Sequence, residues 1–521
     1  MGSPALDTTV FSRVLYQLSY LAAGQSVAAA RRWSLVARLE AGVEKARLGR
    51  RSGVRQIPVE PLPADRFETI VPQACMEEFS TELARTRDAL GSRTLWHVNS
   101  TATGGGVAEM LQSVLCYVAG AGIETRWAVL EGDEEFFVVT KRIHHLLHGK
   151  PGDEGPLGEA EHELYLASLA REGAPLLELI GPGDVVFLHD PQTLGLAEAL
   201  REAGARVVWI CHIGVDEPGD TARTAWRFLM PHVLGCDVRV FSRRQYVWDG
   251  LEDARIEVIP PCIDVFSPKN QSLDEQTVPA ILDQASIVAD GASAEPAFVR
   301  LDGERARITR EAQMLEDVRV PWRAPVITQI SRWDPLKDHQ GVMTAFARHM
   351  PEVGDAHLVL AGPAPDAVGD DPEGKAVFDE LVEAWTQLPE RRERVHIASL
   401  PMEDVDENAA IVNALQRHST AVVQKSLAEG FGLTVAEAMW KARPVVASRV
   451  GGIRDQIEHG RTGVLVDDPA DLGALGRALT GLLSDAEEAD RLGRAAHESV
   501  ADRYLVPRYL SRYLRLTREL L

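Results

Sequence analysis

Cysteine is scarce. The 521 residues hold five thiols, Cys75, Cys116, Cys211, Cys236 and Cys262, odd in number and never in a CxxC pair. That excludes a zinc knuckle or a disulfide framework and fits a reducing compartment, so a cytoplasmic protein is expected. No apolar run reaches the ~20 residues that a membrane span needs. The stretch 15–30 is interrupted by Gln, Ser and Gly, and no basic head precedes it, so a secretory signal is not expected. A Lys/Arg-rich stretch is also missing. With 77 acidic against 55 basic residues, the net charge of −22 would repel a nucleic acid. An anionic substrate must then be met by a few placed cations and backbone amides rather than by a general positive field.

What is present is an ordinary globular composition, 45% hydrophobic and 25% charged. The length is too great for one core, so two domains with extensions are expected. Residues 1–90 show helical periodicity, as in FSRVLYQLSYLAAG, and then a Pro-rich stretch, and read as an N-terminal extension packed on the body. From Arg93 onward, short β-branched runs such as RTLWHVNS, DVVFLHDP and RVVWICHIG alternate with helical segments. Continuous apolar strands separated by helices imply a parallel sheet covered on both faces. The alternation lapses over 268–323, a linker or insertion with little strong core, and resumes with PVITQISR, AHLVLAGP and TAVVQKS. The fold class is therefore α/β, with two doubly wound parallel-sheet units at 91–267 and 324–500. A final helix over 501–521, broken only by Pro507, is expected to cross back to the first unit. Ligands in such sheets bind beyond the carboxyl ends of the strands, which puts the site in the cleft between the units.

The strongest motif is SLAEGFGLTVAE. Gly430 and Gly432 allow close backbone approach, and the amides of Leu433 and Thr434 at a helix N-terminus suit a phosphate. Glu429 and Glu437 both can face the cleft, although Thr434-x-x-Glu437 also reads as a capping box. In SRWDPLKDH, Arg332 and Lys337 can supply two fixed charges to a diphosphate, or Lys337 can pair with a neighbouring aspartate. Gly104, Gly105 and Gly106 open a helix after the first strand, without the GxGxxG spacing of a dinucleotide site. His189 and His212 end strands on the cleft side. His144-x-x-x-His148 could ligate zinc, but no third ligand is evident, and a plain helix face with no metal is the expectation. Asp190 with Glu429 and Glu437 invites a glycosidase reading. Against it, a hydrolase has no use for Arg332, Lys337 and an anion site.

The E-G-F-G-L-x-x-x-E run, with glutamates eight apart, and the SRWDPLKD turn resemble the retaining, glycogen-synthase-like family 4 glycosyltransferases of the GT-B fold. The match covers most of 93–505. WHVNSTATGGGVAEML, RWAVLEGDEEFFVVTKRIHHLLHG, FLHDPQTLGL and PPCIDVFSPKN narrow it to the trehalose glycosyltransferring synthases. The resemblance implies an acceptor-side domain at 91–267, a nucleotide-sugar domain at 324–500, and transfer of glucose from a nucleoside-diphosphate-glucose to free glucose, giving trehalose. It implies that Glu437 binds the ribose, Glu429 the transferred sugar, and Arg332 and Lys337 the diphosphate together with the Gly430 turn and the Leu433 and Thr434 amides. His212 would contact the donor sugar, Gly105 and Gly106 the donor phosphate, and Glu131, Lys141, His189 and Asp190 the acceptor. No cofactor beyond the donor ADP-, UDP- or GDP-glucose is implied, nor a nucleic-acid or membrane partner, and a homodimer stays open as the assembly. Rival readings are another small acceptor of the sucrose or glucosylglycerate type, a nucleotide-sugar epimerase, and a non-catalytic sugar-nucleotide sensor.

Overall fold

A computed structural model describes residues 54–102, 105–290, 294–350, 354–365, 372–388 and 391–521. The expected helices of 1–53, and Gly104, lie outside these residues.

Every strand expected from a continuous apolar run is present, and each falls in one of two seven-stranded sheets. In the first sheet Leu95–Asn99, third of the seven strands, runs parallel to Thr125–Val129 on one side and Val185–His189 on the other. Arg206–Cys211, Val238–Phe241 and Ile256–Val258 extend the second side, and Arg55–Ile57 closes the first, antiparallel to Thr125–Val129. In the second sheet Val326–Ile330 is central, flanked by His357–Pro363 and Ala421–Gln424. Val445–Ser448 and Val464–Val466 follow on one side, Val395–Leu400 and the antiparallel Gln313–Leu315 on the other. The chain reverses its winding direction beside Leu95–Asn99 in the first sheet and beside Val326–Ile330 in the second, which is where a crevice opens at the strand carboxyl ends.

Both faces of each sheet are buried, as the unbroken apolar strands require. One apolar cluster runs through both units. It joins Phe187 and Tyr117 of the first to Phe431 and Val435 of the second by way of Ile259, Cys262, Ile263 and Val265. The helix Ala486–Arg503 belongs to the second unit, and the helix Val506–Leu520 lies on Gln73–Leu90 of the first. Pro507 sits in the first turn of that last helix, where its missing N–H costs nothing. Thr86 Oγ1 donates to the Leu514 carbonyl at 3.1 Å across this packing.

The stretch 268–323, expected as a linker or insertion with little strong core, carries more core than the sequence suggests. It holds the helix Thr277–Gln284 and five short strands, and Val278, Ile281, Ile287, Phe298 and Val320 form a core against Val359 and Ala398 of the second sheet. Its strands span only two or three residues, too short for a legible alternation.

Candidate functional site

The second unit's half of the cleft is stitched together by the side chain of Gln329. Its Nε2 donates to the Lys337 carbonyl at 2.8 Å, and its Oε1 accepts from the Lys425 amide at 3.0 Å. The Leu427 amide donates to the Leu336 carbonyl at 2.7 Å. Asp334 accepts from the Leu336 amide at 2.8 Å and closes the turn Pro335–Lys337. The two strand-end loops are thus held side by side, and Lys337 Nζ lies 2.5 Å from Glu429 Oε2. Ser426 Oγ donates to the same oxygen at 3.0 Å. Lys337 and Glu429 are 16% and 11% exposed, so little water screens the pair. Arg332 stands outside, 54% exposed, with its guanidinium 3.2 Å from Asp334.

The helix Leu433–Trp440 starts directly after Gly432, whose φ of 83° places it in the left-handed region. No side chain caps this helix, and no described residue accepts from the amides of Leu433 and Thr434. The capping box is therefore not formed. Thr434 lies inside the first turn, and Glu437 is left for other work. Its buried carboxyl sits 3.9 Å from Lys269 Nζ. Burial pushes the Glu437 pKa up, against the opposing charges of Lys269 and Lys441. Glu437 and Leu433 line a cavity shared with Glu109, Ser113, Met402 and Asp406.

The first unit meets this half at close range. A Cβ added to Gly106 would come within 2.7 Å of Leu433 Cδ1, and one on Gly430 within 3.0 Å of the His212 carbonyl. The Tyr246 hydroxyl lies 2.8 Å from the carbonyls of both Glu429 and Gly430. Two ion pairs cross beside them, Arg243 with Asp455 at 2.7 Å and Arg454 with Asp216 at 3.1 Å. Gly105 is the residue before the helix Gly106–Gly120.

The acceptor-side residues separate. Glu131 is exposed in the loop after Thr125–Val129. Lys141 pairs with Glu373 of the second unit at 3.2 Å. Asp190 has a φ of 60° and accepts from the His212 amide at 2.8 Å, and burial raises its pKa. His189, expected against a ligand, is 1% exposed, and both its ring nitrogens face other histidines. It stands behind His212 rather than beside it.

The helix Glu134–Leu147 is not the plain face its spacing suggests. His145 lies 3.7 Å from Glu373 of the second unit. His148, just beyond the helix, keeps a buried Nδ1 without a partner. Burial drives the His148 pKa down to about 4, opposed by Glu429 and reinforced by Lys337. His144 is also lowered by burial, with His148 and Arg332 adding to the shift. The charges of Lys337 and Glu429 therefore reach His148, and that of Arg332 reaches His144. Local periodicity could not reveal this, because the covering surface comes from the other unit. Among the described residues no set of three or more His, Cys, Asp or Glu side chains is arranged to hold a metal ion. None of the described helices is long and apolar enough to cross a membrane. Sequence reading also passed over Lys269, Tyr246 and His97. The one available signal was His97 itself, a polar residue inside the apolar strand LWHVN.

Two facing doubly wound sheets, with an ammonium–carboxylate pair and an uncapped helix start between them, define a glycosyltransferase of the GT-B fold. Residues 97–248 match the family described as trehalose synthase, N-terminal domain, and residues 314–499 match glycosyl transferases group 1. The chain is 36% identical over 434 residues to a trehalose synthase of Rubrobacter xylanophilus, covering 83% of this chain and 91% of that protein. Against a trehalose synthase of Pyrococcus horikoshii it is 34% identical over 438 residues, 84% and 92% of the two chains. In structure it is similar to a UDP-forming α,α-trehalose-phosphate synthase from Burkholderia xenovorans, with a TM-score of 0.61 at 17% identity over 82% of this chain and 99% of that one. The chain belongs to the trehalose synthase family of glycosyl transferases.

Proposed function

We propose that the protein is a hexosyltransferase that moves the glucosyl unit of a nucleoside-diphosphate-glucose onto free glucose, forming α,α-trehalose with retention at the donor's anomeric carbon. The observation that carries this reading is the Lys337–Glu429 pair, 2.5 Å apart, in the same loop system as the unpartnered amides of Leu433 and Thr434. An ammonium and a helix N-terminus suit a diphosphate, and a carboxylate in salt linkage beside them suits sugar hydroxyls. Glu437, in the adjoining cavity, is the ribose ligand of this scheme, and Arg332 the second phosphate cation.

In the reaction the bond from the anomeric carbon to the phosphate oxygen breaks, and the acceptor hydroxyl attacks from the same face. The acceptor's proton passes to the departing phosphate oxygen, so nucleoside diphosphate and disaccharide leave in balance. Lys337, Arg332 and the two amides stabilise the charge growing on that oxygen, an effect worth about 3 kcal/mol of barrier for one preorganised donor.

A free rather than phosphorylated acceptor is favoured by the state of the two cations at 131–142. Lys141 is paired with Glu373 at 3.2 Å. Arg142 is paired with Asp153 at 2.6 Å. Neither is left to grip an acceptor phosphate. The test is to incubate the protein with ADP-, UDP- and GDP-glucose and a panel of free and phosphorylated sugars, and to identify the product. Trehalose from free glucose supports the proposal. Transfer only to a phosphorylated sugar, or epimerised donor without transfer, refutes it.

A further inference from the structure

Behind His212 runs a buried file of hydrogen-bonding rings that no part of the reaction scheme uses. Tyr513 Oη, on the C-terminal helix Val506–Leu520, is hydrogen-bonded to His97 Nε2. His97 Nδ1 lies 3.0 Å from His189 Nε2, and His189 Nδ1 lies 3.2 Å from His212 Nε2. The His97 and His189 rings stack at 5.3 Å, and those of His189 and His212 at 5.5 Å. Tyr513, His97 and His189 are 2%, 1% and 1% exposed, whereas His212 is only partly buried, so His212 is the end of the file that reaches the cleft. Burial holds the His97 pKa down to about 3 and lowers those of His189 and His212. All three imidazoles are therefore neutral near pH 7, and each carries one N–H and one lone pair.

That count gives the file a direction. A buried hydroxyl must donate, and the one acceptor that the described residues offer Tyr513 Oη is His97 Nε2. With Nε2 accepting, the His97 proton sits on Nδ1 and is donated to His189 Nε2. His189 then carries its proton on Nδ1 and donates to His212 Nε2. His212 is left with its proton on Nδ1, which has no hydrogen-bond partner among the described residues. The opposite polarity would set His97 Nε2–H against the tyrosine oxygen and strand a buried hydroxyl proton, at a cost of about 1–3 kcal/mol.

We infer that Tyr513, acting through His97 and His189, is a positioning residue that fixes the tautomer of His212, so that the ring presents an Nδ1–H donor rather than a lone pair to the transferred sugar. The contact with the sugar rests on the function proposed above. The tautomer does not.

The experiment uses the full chain with its histidines labelled with 15N, the His212 signals being assigned by their loss in His212→Asn. Two-bond proton–nitrogen correlation on the ligand-free protein reads the tautomer. The expected result is protonated Nδ1 and bare Nε2 at His212. In Tyr513→Phe the pattern becomes mixed or reversed. There kcat falls about tenfold while the donor KM stays within about twofold, the worth of one neutral hydrogen bond made by a ring already in place. Tyr509→Phe, which removes a neighbouring hydroxyl of the same helix outside the file, is expected to change neither reading. A His212 that carries its proton on Nε2 in the unaltered protein overturns the inference, whether or not Tyr513→Phe folds. So does a tautomer or kcat that Tyr513→Phe leaves unmoved. An unaltered protein with the expected tautomer but no transfer from any nucleoside-diphosphate-glucose refutes the proposed function alone.

Discussion

Lys337 and Glu437 carry different parts of the donor in the proposed scheme, and their substitution should divide accordingly. Lys337 faces Glu429 at 2.5 Å, and its charge matters most when the phosphate oxygen becomes a leaving group. Lys337→Ala should lower kcat on the order of a hundredfold or more, the cost of removing one preorganised donor. The variant should stay folded with a lowered thermal midpoint, because the Glu429 carboxylate, 11% exposed, loses its cation. Turnover near that of the unaltered protein would sink the leaving-group argument. Glu437 is buried beside Lys269 in the cavity, away from that pair. Glu437→Gln should raise the donor KM about tenfold through one weakened charge-assisted hydrogen bond and leave kcat within about twofold. Steady-state kinetics in donor separates the two outcomes.

At the scale of elements, the loop holding Glu429 is fixed by backbone that tolerates no added atom. Gly451 has a φ of 50°, and a Cβ there would stand 1.7 Å from the Glu429 carbonyl oxygen and 2.7 Å from the Tyr246 hydroxyl. Gly451→Ala must push the Glu429–Gly430 segment off Tyr246. The expected result is a loss of about 1–3 kcal/mol from strain. A displacement of ~1 Å at Glu429, the carboxylate that the proposed scheme assigns to the sugar, should lower kcat on the order of a hundredfold. Urea unfolding and initial rates on the same preparation check both; a fully active variant would show that the loop does not position Glu429. These elements also mark how far the sequence could be read. Each parallel strand was legible because burial on both faces writes it as an unbroken apolar run, as in VVFLH and VVWIC. The EGFGL turn was legible because glycines and a helix start fall next to one another. The choice between capping box and ligand site was not, since it hangs on the helix beginning at Leu433, one residue before Thr434. The packing of His148 and His189 was not legible for a related reason. Their surroundings come from the other unit or from strands distant in sequence, which no local period records.

Across the whole molecule, the buried histidines couple stability to acidity. Burial holds His97 and His339 at about 3, and His148, His232, His357 and His418 at about 4. In the unfolded chain each returns to about 6.5. Below that value the unfolded chain takes up protons that the folded chain refuses, so stability is fully present above about 6.5 and is lost as pH falls. Each such group adds a slope of at most about 1.4 kcal/mol per pH unit. Asp190, Asp264, Asp406 and Glu437, whose pKa values are raised by burial, act in the opposite sense over the acid range, but they are fewer. The urea-unfolding free energy should therefore drop by at least about 2 kcal/mol between about pH 6.5 and about pH 5. His97 is the informative member, since it is 1% exposed and its partners are the Tyr513 hydroxyl and the His189 ring. Replacing it by glutamine, which cannot take up a proton, should flatten the slope by up to about 1.4 kcal/mol per pH unit even if the variant is less stable at neutral pH. A stability that stays level from neutral pH to about 5 would mean that these imidazoles already titrate in the folded protein. A charged His97 donates from both ring nitrogens, so the Tyr513 hydroxyl could no longer donate to it, and the fixed polarity of the ring file would fail along with the acid slope.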